Sequence, residues 1–518
     1  MTAPHPDPND PDHALREPAP EPPPEPAPET HPGEPNGGPG PRDRRDREGG
    51  RSDGRRAPDR GRTGTRGRGG WIAVAVWAAG IAAVFAVGWW LRRAGIATED
   101  RLPPLHAELR APTWRILPAA CTAALAVAAL PPLAARLPWR LLPAAGWACS
   151  AAWAVALAAA DGLGALARPF DAPTEYAAGL PAVRPDPAEW LRTFTERLGG
   201  YPTHVRGHPP LPTLVVWALE AAGFGGTGWA AAFVIAAGTS SVAAITITLR
   251  RLAGEDTARR ALPYLVLAPA ALWIATTMDA FFLGVAAWGT ALLALTARPR
   301  RRADRSFAAA GPASGRLPAV AAGGAALGGG LLLGALPYLN YGMLPFGAVP
   351  LAVLLMARPR WRTLALLACG LAVVPAAFTL TGFWWPDGVR ATLDTYLVSR
   401  GSAQRSYAYF LFGDLAVLGL LTGPAVAHAL PDLLRTLRRG ARAPSAIPAG
   451  TLLAAAALLG TLVLDASGVT RGEVERIWIP YAMWIVVAAA PHRPPARTWL
   501  AAQALTALAV QALVLSEW

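Results

Sequence analysis

The chain is a succession of apolar runs, most of them close to the ~20 residues that a bilayer-spanning helix needs, and they recur from Trp71 to Leu515. A backbone surrounded by hydrocarbon must satisfy its own amides, so runs of this length fold as helices. The composition agrees, at 53% hydrophobic and only 16% charged residues. The expected fold class is an all-α polytopic membrane protein. About thirteen transmembrane helices and one partial helix fit the runs.

Arginine decides which end of each run faces which side. The formal charge is +13 and every basic residue is arginine. With no lysine, P-loop and Schiff-base lysine chemistry are excluded. The positive charge reads as membrane orientation rather than nucleic-acid binding, and no nucleic-acid partner is expected. Residues 1–70 are rich in proline, arginine and glycine and lack apolar periodicity. They are expected to be a disordered cytoplasmic tail ahead of a multi-spanning domain over 71–518. If the N-terminus is cytoplasmic and Leu211–Ala222 only dips into the membrane, every arginine-rich loop after the third span faces the cytoplasm. Those loops are Arg250–Arg260, Arg298–Arg302, Arg358–Arg362, Arg435–Arg439 and Arg493–Arg497.

The same assignment gathers the polar residues at the other face. The largest polar segment is the loop 161–210, and Asp279, Asp414 and Asp465 fall at outer ends of apolar runs. Acids in such places mark a site or merely touch interfacial water. Within the loop, Asp171 and Glu175 are four apart, so a helical turn there puts both on one face beside Tyr176. The other reading of that spacing is an acid pair favoured by a helix dipole. His204, Arg206 and His208 precede Pro209-Pro210 and have the chemistry to bond a sugar hydroxyl or a phosphate oxygen. His-x-x-x-His with no acid on the same helix is a weak metal signature, and no cofactor is expected. Ala188–Leu198 carries Trp190, Leu191, Phe194 and Leu198 at helical spacing. It reads as a helix on the membrane surface or one packed on the outer loops. Arg206, Arg390, Arg400, Arg405, Arg471 and Arg476 are the candidate phosphate clamps, with Glu473 in the dense run RGEVER. The alternative for that run is a salt-bridged loop. Cys121, Cys149 and Cys369 have no metal-ligand spacing.

Two motifs carry a resemblance. FDAPTEY (Phe170–Tyr176) and HPPL (His208–Leu211), in this order and topology, resemble the GT-C glycosyltransferases, in particular bacterial relatives of protein O-mannosyltransferases and aminoarabinose transferases. RGEVERIW (Arg471–Trp478) is similar to a stretch of actinobacterial membrane glycosyltransferases. The acids here are separated by Ala-Pro-Thr, where the family has them adjacent. The resemblance implies an inverting enzyme of the bacterial plasma membrane. It would move a sugar from a polyprenyl-phosphate donor to a glycan, lipid or protein hydroxyl, with Asp171 or Glu175 as base. Tyr176, His204, Arg206, His208, Arg405, Arg471, Glu473 and Arg476 would bind substrate. A secondary transporter or a flippase for a lipid-linked sugar is the alternative.

Overall fold

The computed structural model describes residues 60–96, 98, 101–298, 318–398, 402–443, 446–492 and 497–516. Residues 1–59 of the expected tail, and Arg400, lie outside them. The first helix, α1 (Arg60–Arg93), already includes residues 60–70, so the expected boundary at residue 70 falls inside a helix. A short strand β1 (Ala107–Leu109) follows, then α2 (Leu117–Arg136) and α3 (Leu142–Ala158). The loop over 161–210 contains three short helices, α4 (Leu180–Val183), α5 (Pro187–Arg192) and α6 (Thr203–Gly207). It leads into α7 (Leu211–Ala221), α8 (Thr227–Ala253), α9 (Glu255–Val266) and α10 (Asp279–Leu295). Next come α11 (Ala319–Leu339), α12 (Ala348–Ala357), α13 (Trp361–Leu380) and α14 (Trp385–Val398). The chain continues through α15 (Tyr407–Thr422), α16 (Pro424–Gly440) and α17 (Ala449–Ser467). It ends in α18 (Val474–Ile477), α19 (Ile479–Ile485), α20 (Arg497–Leu513) and β2 (Val514–Ser516), which pairs antiparallel with β1.

Seven of the described helices are long and apolar enough to cross a membrane, or eight if a bent pair counts as one span. The expected runs Phe281–Ala297, Met343–Ala357 and Arg476–Ala490 are shorter helices. The Ala261–Thr277 run breaks after α9, and the chain continues as a 3-10 turn over Pro269–Trp273. The expected span Phe410–Leu430 is the bent pair: α15 and α16 meet at 107°. The break has a local cause. Gly423 has φ +78, and a Cβ there would lie 2.1 Å from Gln503 Oε1. Pro424 then opens the next helix, where its missing N–H is not needed. Hydropathy alone reads straight through such a break.

Helix contact depends on small residues. A Cβ on Gly330 would lie 2.2 Å from the Leu367 carbonyl oxygen, and one on Gly370 2.2 Å from that of Leu327. Here α11 and α13 touch backbone to backbone, which in hydrocarbon substitutes dispersion contacts for a missing hydrophobic drive.

Two groups of long-range polar contacts lie at opposite ends of the helices. At one end, Arg259 donates to the Ala134 and Leu137 carbonyls, Arg260 to Ala490, and Arg251 to Ala297. The N–H of Arg298 donates to Ala357. At the other end lie the 161–210 loop, Asp279 and Arg471–Arg476. There Asp161 pairs with Arg110 and accepts from Gln511 Nε2 at 2.9 Å.

Candidate functional site

Local chemistry explains how the 161–210 loop is held. Asp186 caps α5 by accepting from the N–H groups of Ala188 and Glu189, both at 2.9 Å. Trp190, Leu191, Phe194 and Leu198 are all buried, and Phe194 packs against Tyr201 and Phe383. This segment is therefore packed on neighbouring loops and does not lie as an apolar face on the surface. The helical turn expected over Asp171–Tyr176 is absent. Asp171 ends a 3-10 turn over Arg168–Asp171 and is exposed. Glu175 is extended, at φ −83 and ψ 168, and only 8% exposed. Pro173 and the extended Ala172 separate the two carboxylates, so they share no helical face.

Glu175 belongs instead to a chain of buried charged groups from four segments of sequence. Its Oε1 lies 2.8 Å from His204 Nδ1. His204 Nε2 lies 3.1 Å from Arg476 Nη2. Arg476 Nη1 donates to Asp279 Oδ2 at 2.9 Å, and Nη2 donates to Glu473 Oε2 at 2.8 Å. A guanidinium has donors only. His204 Nε2 is therefore the acceptor, which leaves the ring proton on Nδ1, facing Glu175. Tyr176 stacks on His204 with ring centroids 5.9 Å apart and meets His208 edge-on at 5.7 Å. His208 donates from Nδ1 to the His204 carbonyl at 3.0 Å. The His204 N–H donates to the Thr174 carbonyl at 2.9 Å, tying the two motifs of the loop together.

The Arg471–Arg476 stretch reaches this site through an unusual backbone. Gly472 has φ +81 and Glu473 φ +59. A left-handed residue other than glycine, asparagine or aspartate is uncommon and costs on the order of 1 kcal/mol. The bend brings the Glu473 carboxylate between Arg476 and Arg405, whose Nη2 is 3.5 Å from Oε1. It also lets the Gly472 N–H donate to Asp414 Oδ1 at 3.1 Å. A Cβ at Gly472 would lie 2.6 Å from Arg405 Nη1. Glu475 Oε1 accepts from the His106 N–H at 3.1 Å.

Burial and charge oppose each other here, and charge wins for the acids. Burial pushes the Glu473 carboxyl up, but Arg476 and Arg405 together hold it down at about 2. Burial also raises Glu175, yet the bond to His204 and the charge of Arg476 leave it below the usual carboxylate range. Burial lowers His208 to about 4, with Arg476 adding to the effect and Asp279 opposing it. Burial alone would lower Arg476. Asp279, Glu473 and Glu175 outweigh it and hold the guanidinium well above its ordinary value.

Glu175 and Tyr176 also line a small open crevice with room for about one water molecule. Its other walls are apolar: Phe170, Val216 and Leu219 of α7, Phe233 and Val234 of α8, and Met278. Oε1 is the oxygen that meets His204.

The arginines divide into two kinds. Arg471 donates to the carbonyls of Gly468, Ala403 and Arg405 at 2.9–3.0 Å and stacks on Tyr407, so it staples its own loop. Arg405 donates to the Arg471 carbonyl at 2.8 Å and is 4% exposed. Arg405, Arg471 and Arg476 thus each already contact protein acceptors. Arg206 is half-buried on α6, near α14, where its carbonyl accepts from Thr392 at 3.3 Å. Arg390 is exposed and pairs with Asp387. Asp279 was expected at this face, but nothing in the sequence joined it to Arg476. Its signal was an acid opening an apolar run. Among the described residues no group of three or more His, Cys, Asp or Glu side chains is arranged to hold a metal ion.

In comparisons with known proteins, no family model matches the chain, and neither the curated proteins nor the solved structures give a significant match.

Proposed function

We propose that the protein is an inverting GT-C-type glycosyltransferase of the bacterial plasma membrane, with Glu175 as its general base. The observation that carries this reading is a buried carboxylate with one oxygen oriented by His204 and a lining position in an apolar cleft between α7 and α8. In this reading a sugar on a polyprenyl phosphate docks at the mouth of this crevice, with its prenyl chain against the apolar residues Phe170, Val216, Leu219 and Phe233. Glu175 removes the proton of the acceptor hydroxyl while that oxygen attacks the anomeric carbon. The bond from that carbon to the phosphate oxygen breaks, and polyprenyl phosphate leaves. Arg206, a half-buried motif cation that no described carboxylate neutralises, is the residue left to meet the phosphate charge. Asp171 is assigned no part in the chemistry because it is exposed and lies off the cleft.

In this reading the short and broken helices complete thirteen traverses, with α7 as the partial one. The arginine-rich end faces the cytoplasm and the Glu175 end faces out, as retention of positive charge inside favours. A general base is worth roughly 10²–10⁴-fold in rate. Glu175→Gln in purified protein should lower transfer from a polyprenyl-phosphate sugar at least about a hundredfold, at unchanged membrane abundance. Wild-type transfer by this variant, or uptake of a lipid-linked sugar with no transfer by the native protein, would replace the enzyme reading with a transporter or flippase.

A further inference from the structure

The helix after the 107° bend is distinct from the spans. In α16 the apolar residues Leu430, Leu433, Leu434 and Leu437 fall at i, i+3, i+4 and i+7, the pattern of one helix face. Packing on the bundle uses only part of that face. Leu433 is buried, whereas Leu430 is 36% and Leu434 41% exposed. Beside the exposed leucines, Arg438, Arg439 and the following Arg442 are exposed too. Asp432, the one acid of the helix, is already paired with Arg435 at 2.8 Å. The helix starts at the arginine-rich end of the molecule, where the Ala425 carbonyl contacts His492 Nε2 at 3.0 Å and His428 packs against Trp71.

We infer that α16 lies in the plane of the membrane surface and binds anionic phospholipid headgroups through Arg438, Arg439 and Arg442, with Leu430 and Leu434 set into the acyl boundary. The sharp bend turns α16 across the direction of the apolar α15. An exposed apolar stripe flanked by arginines that pair with no acid among the described residues matches an interface that is apolar below and negative above. A soluble partner would leave Leu430 and Leu434 against water or demand an apolar groove of its own. A lipid surface supplies both chemistries at once. The inference rests on membrane embedding and not on sugar transfer.

The test uses the full-length protein in nanodiscs containing trace photoactivatable phosphatidylglycerol or phosphatidylcholine, with cross-links mapped by mass spectrometry. Peptides covering Leu430–Arg442 should be labelled several-fold more by phosphatidylglycerol than by phosphatidylcholine. Peptides within Leu364–Phe378 of α13, whose exposed residues are apolar, serve as the internal reference. The triple variant Arg438→Gln/Arg439→Gln/Arg442→Gln should bring the two lipids to equal labelling on α16 while the α13 pattern stays the same. High salt should reduce the preference in the native protein, since it screens exposed charges. Equal labelling of native α16 by both lipids, an excess that survives the triple variant, or protection of α16 from both lipids would each overturn the assignment. A changed α13 pattern would show misfolding; the single variants, made separately, must then each lower the excess or the assignment falls.

Discussion

His204 Nδ1 lies 2.8 Å from Glu175 Oε1, while the far side of the same ring, Nε2, is held 3.1 Å from Arg476 Nη2. Because the guanidinium can only donate, the imidazole's tautomer is chosen by a residue from the far end of the chain. Arg476 is itself fixed by Asp279 and Glu473. A carboxylate held on one oxygen by an oriented imidazole is prepared to accept a proton on the other, and this arrangement separates Glu175 from the rest of the loop's acids.

The loop's two best acid candidates should therefore behave differently. Asp171→Asn should leave transfer within about twofold of wild type, since exposed substitutions away from special features change little. Glu175→Gln should lose at least about a hundredfold. Side-by-side initial rates with a polyprenyl-phosphate sugar make the comparison, and equal losses in both variants would return Asp171 to the site.

Arg476 should carry stability through its acids. Removing one partner of a buried pair typically costs ~3–5 kcal/mol because the other charge is left unpaired. Arg476→Gln should show a loss of this order in denaturant unfolding. With Asp279→Asn added, the loss should be clearly smaller than the sum of the single losses, as expected of residues in direct contact. Additive losses would mean the pair is not energetically coupled.

The loop should weaken in acid in two stages. His208 titrates at about 4 when folded, below its usual 6.5, so it takes up its proton more readily unfolded. The stability this contributes is complete above pH 6.5 and is lost as pH falls toward 4. Glu473 titrates at about 2 against a usual 4.5, so its contribution is complete above 4.5 and is lost toward pH 2. Melting temperature against pH should accordingly fall in the upper window for native protein and fall less steeply for His208→Gln, where His428 and His492 still take up protons more readily unfolded. The slope below pH 4.5 should flatten in Glu473→Gln. A native curve level from pH 6.5 to 4 would contradict the buried neutral imidazole.

Orientation has its own test. On a background lacking Cys121, Cys149 and Cys369, Gly199→Cys should react with an impermeant thiol reagent in intact cells, and Asp256→Cys should react only after the membrane is opened. Gly199 is exposed with nothing within 4 Å of an added Cβ, and the Asp256 side chain is 77% exposed, so access to each is not limited by packing. The reverse pattern would turn the proposed topology over.

Hydropathy and arginine placement determined the helical class, most helix positions and the sorting of polar groups to two ends, because burial in lipid penalises a bare charge wherever it falls. They also singled out Glu175, His204, His208, Glu473 and Arg476 as residue types able to do chemistry. What sequence could not supply was the pairing. Asp171 and Glu175 looked equivalent because spacing assumes a helix, and the extended backbone after Ala172 removes that helix. Arg405, Arg471 and Arg476 read equally as phosphate clamps or as members of a salt-bridged loop, because a sequence lists charges without their partners. The left-handed Glu473 turns its carboxylate onto Arg476 and Arg405, and the loop carbonyls take up Arg471. Asp279 met Arg476 only through the packing of α10 beside α18. The break at Gly423, too, depends on Gln503 filling the space a side chain would need. Local chemistry follows from residue order, but a contact between distant segments is settled by which groups the folded helices bring within reach, and that required the tertiary structure.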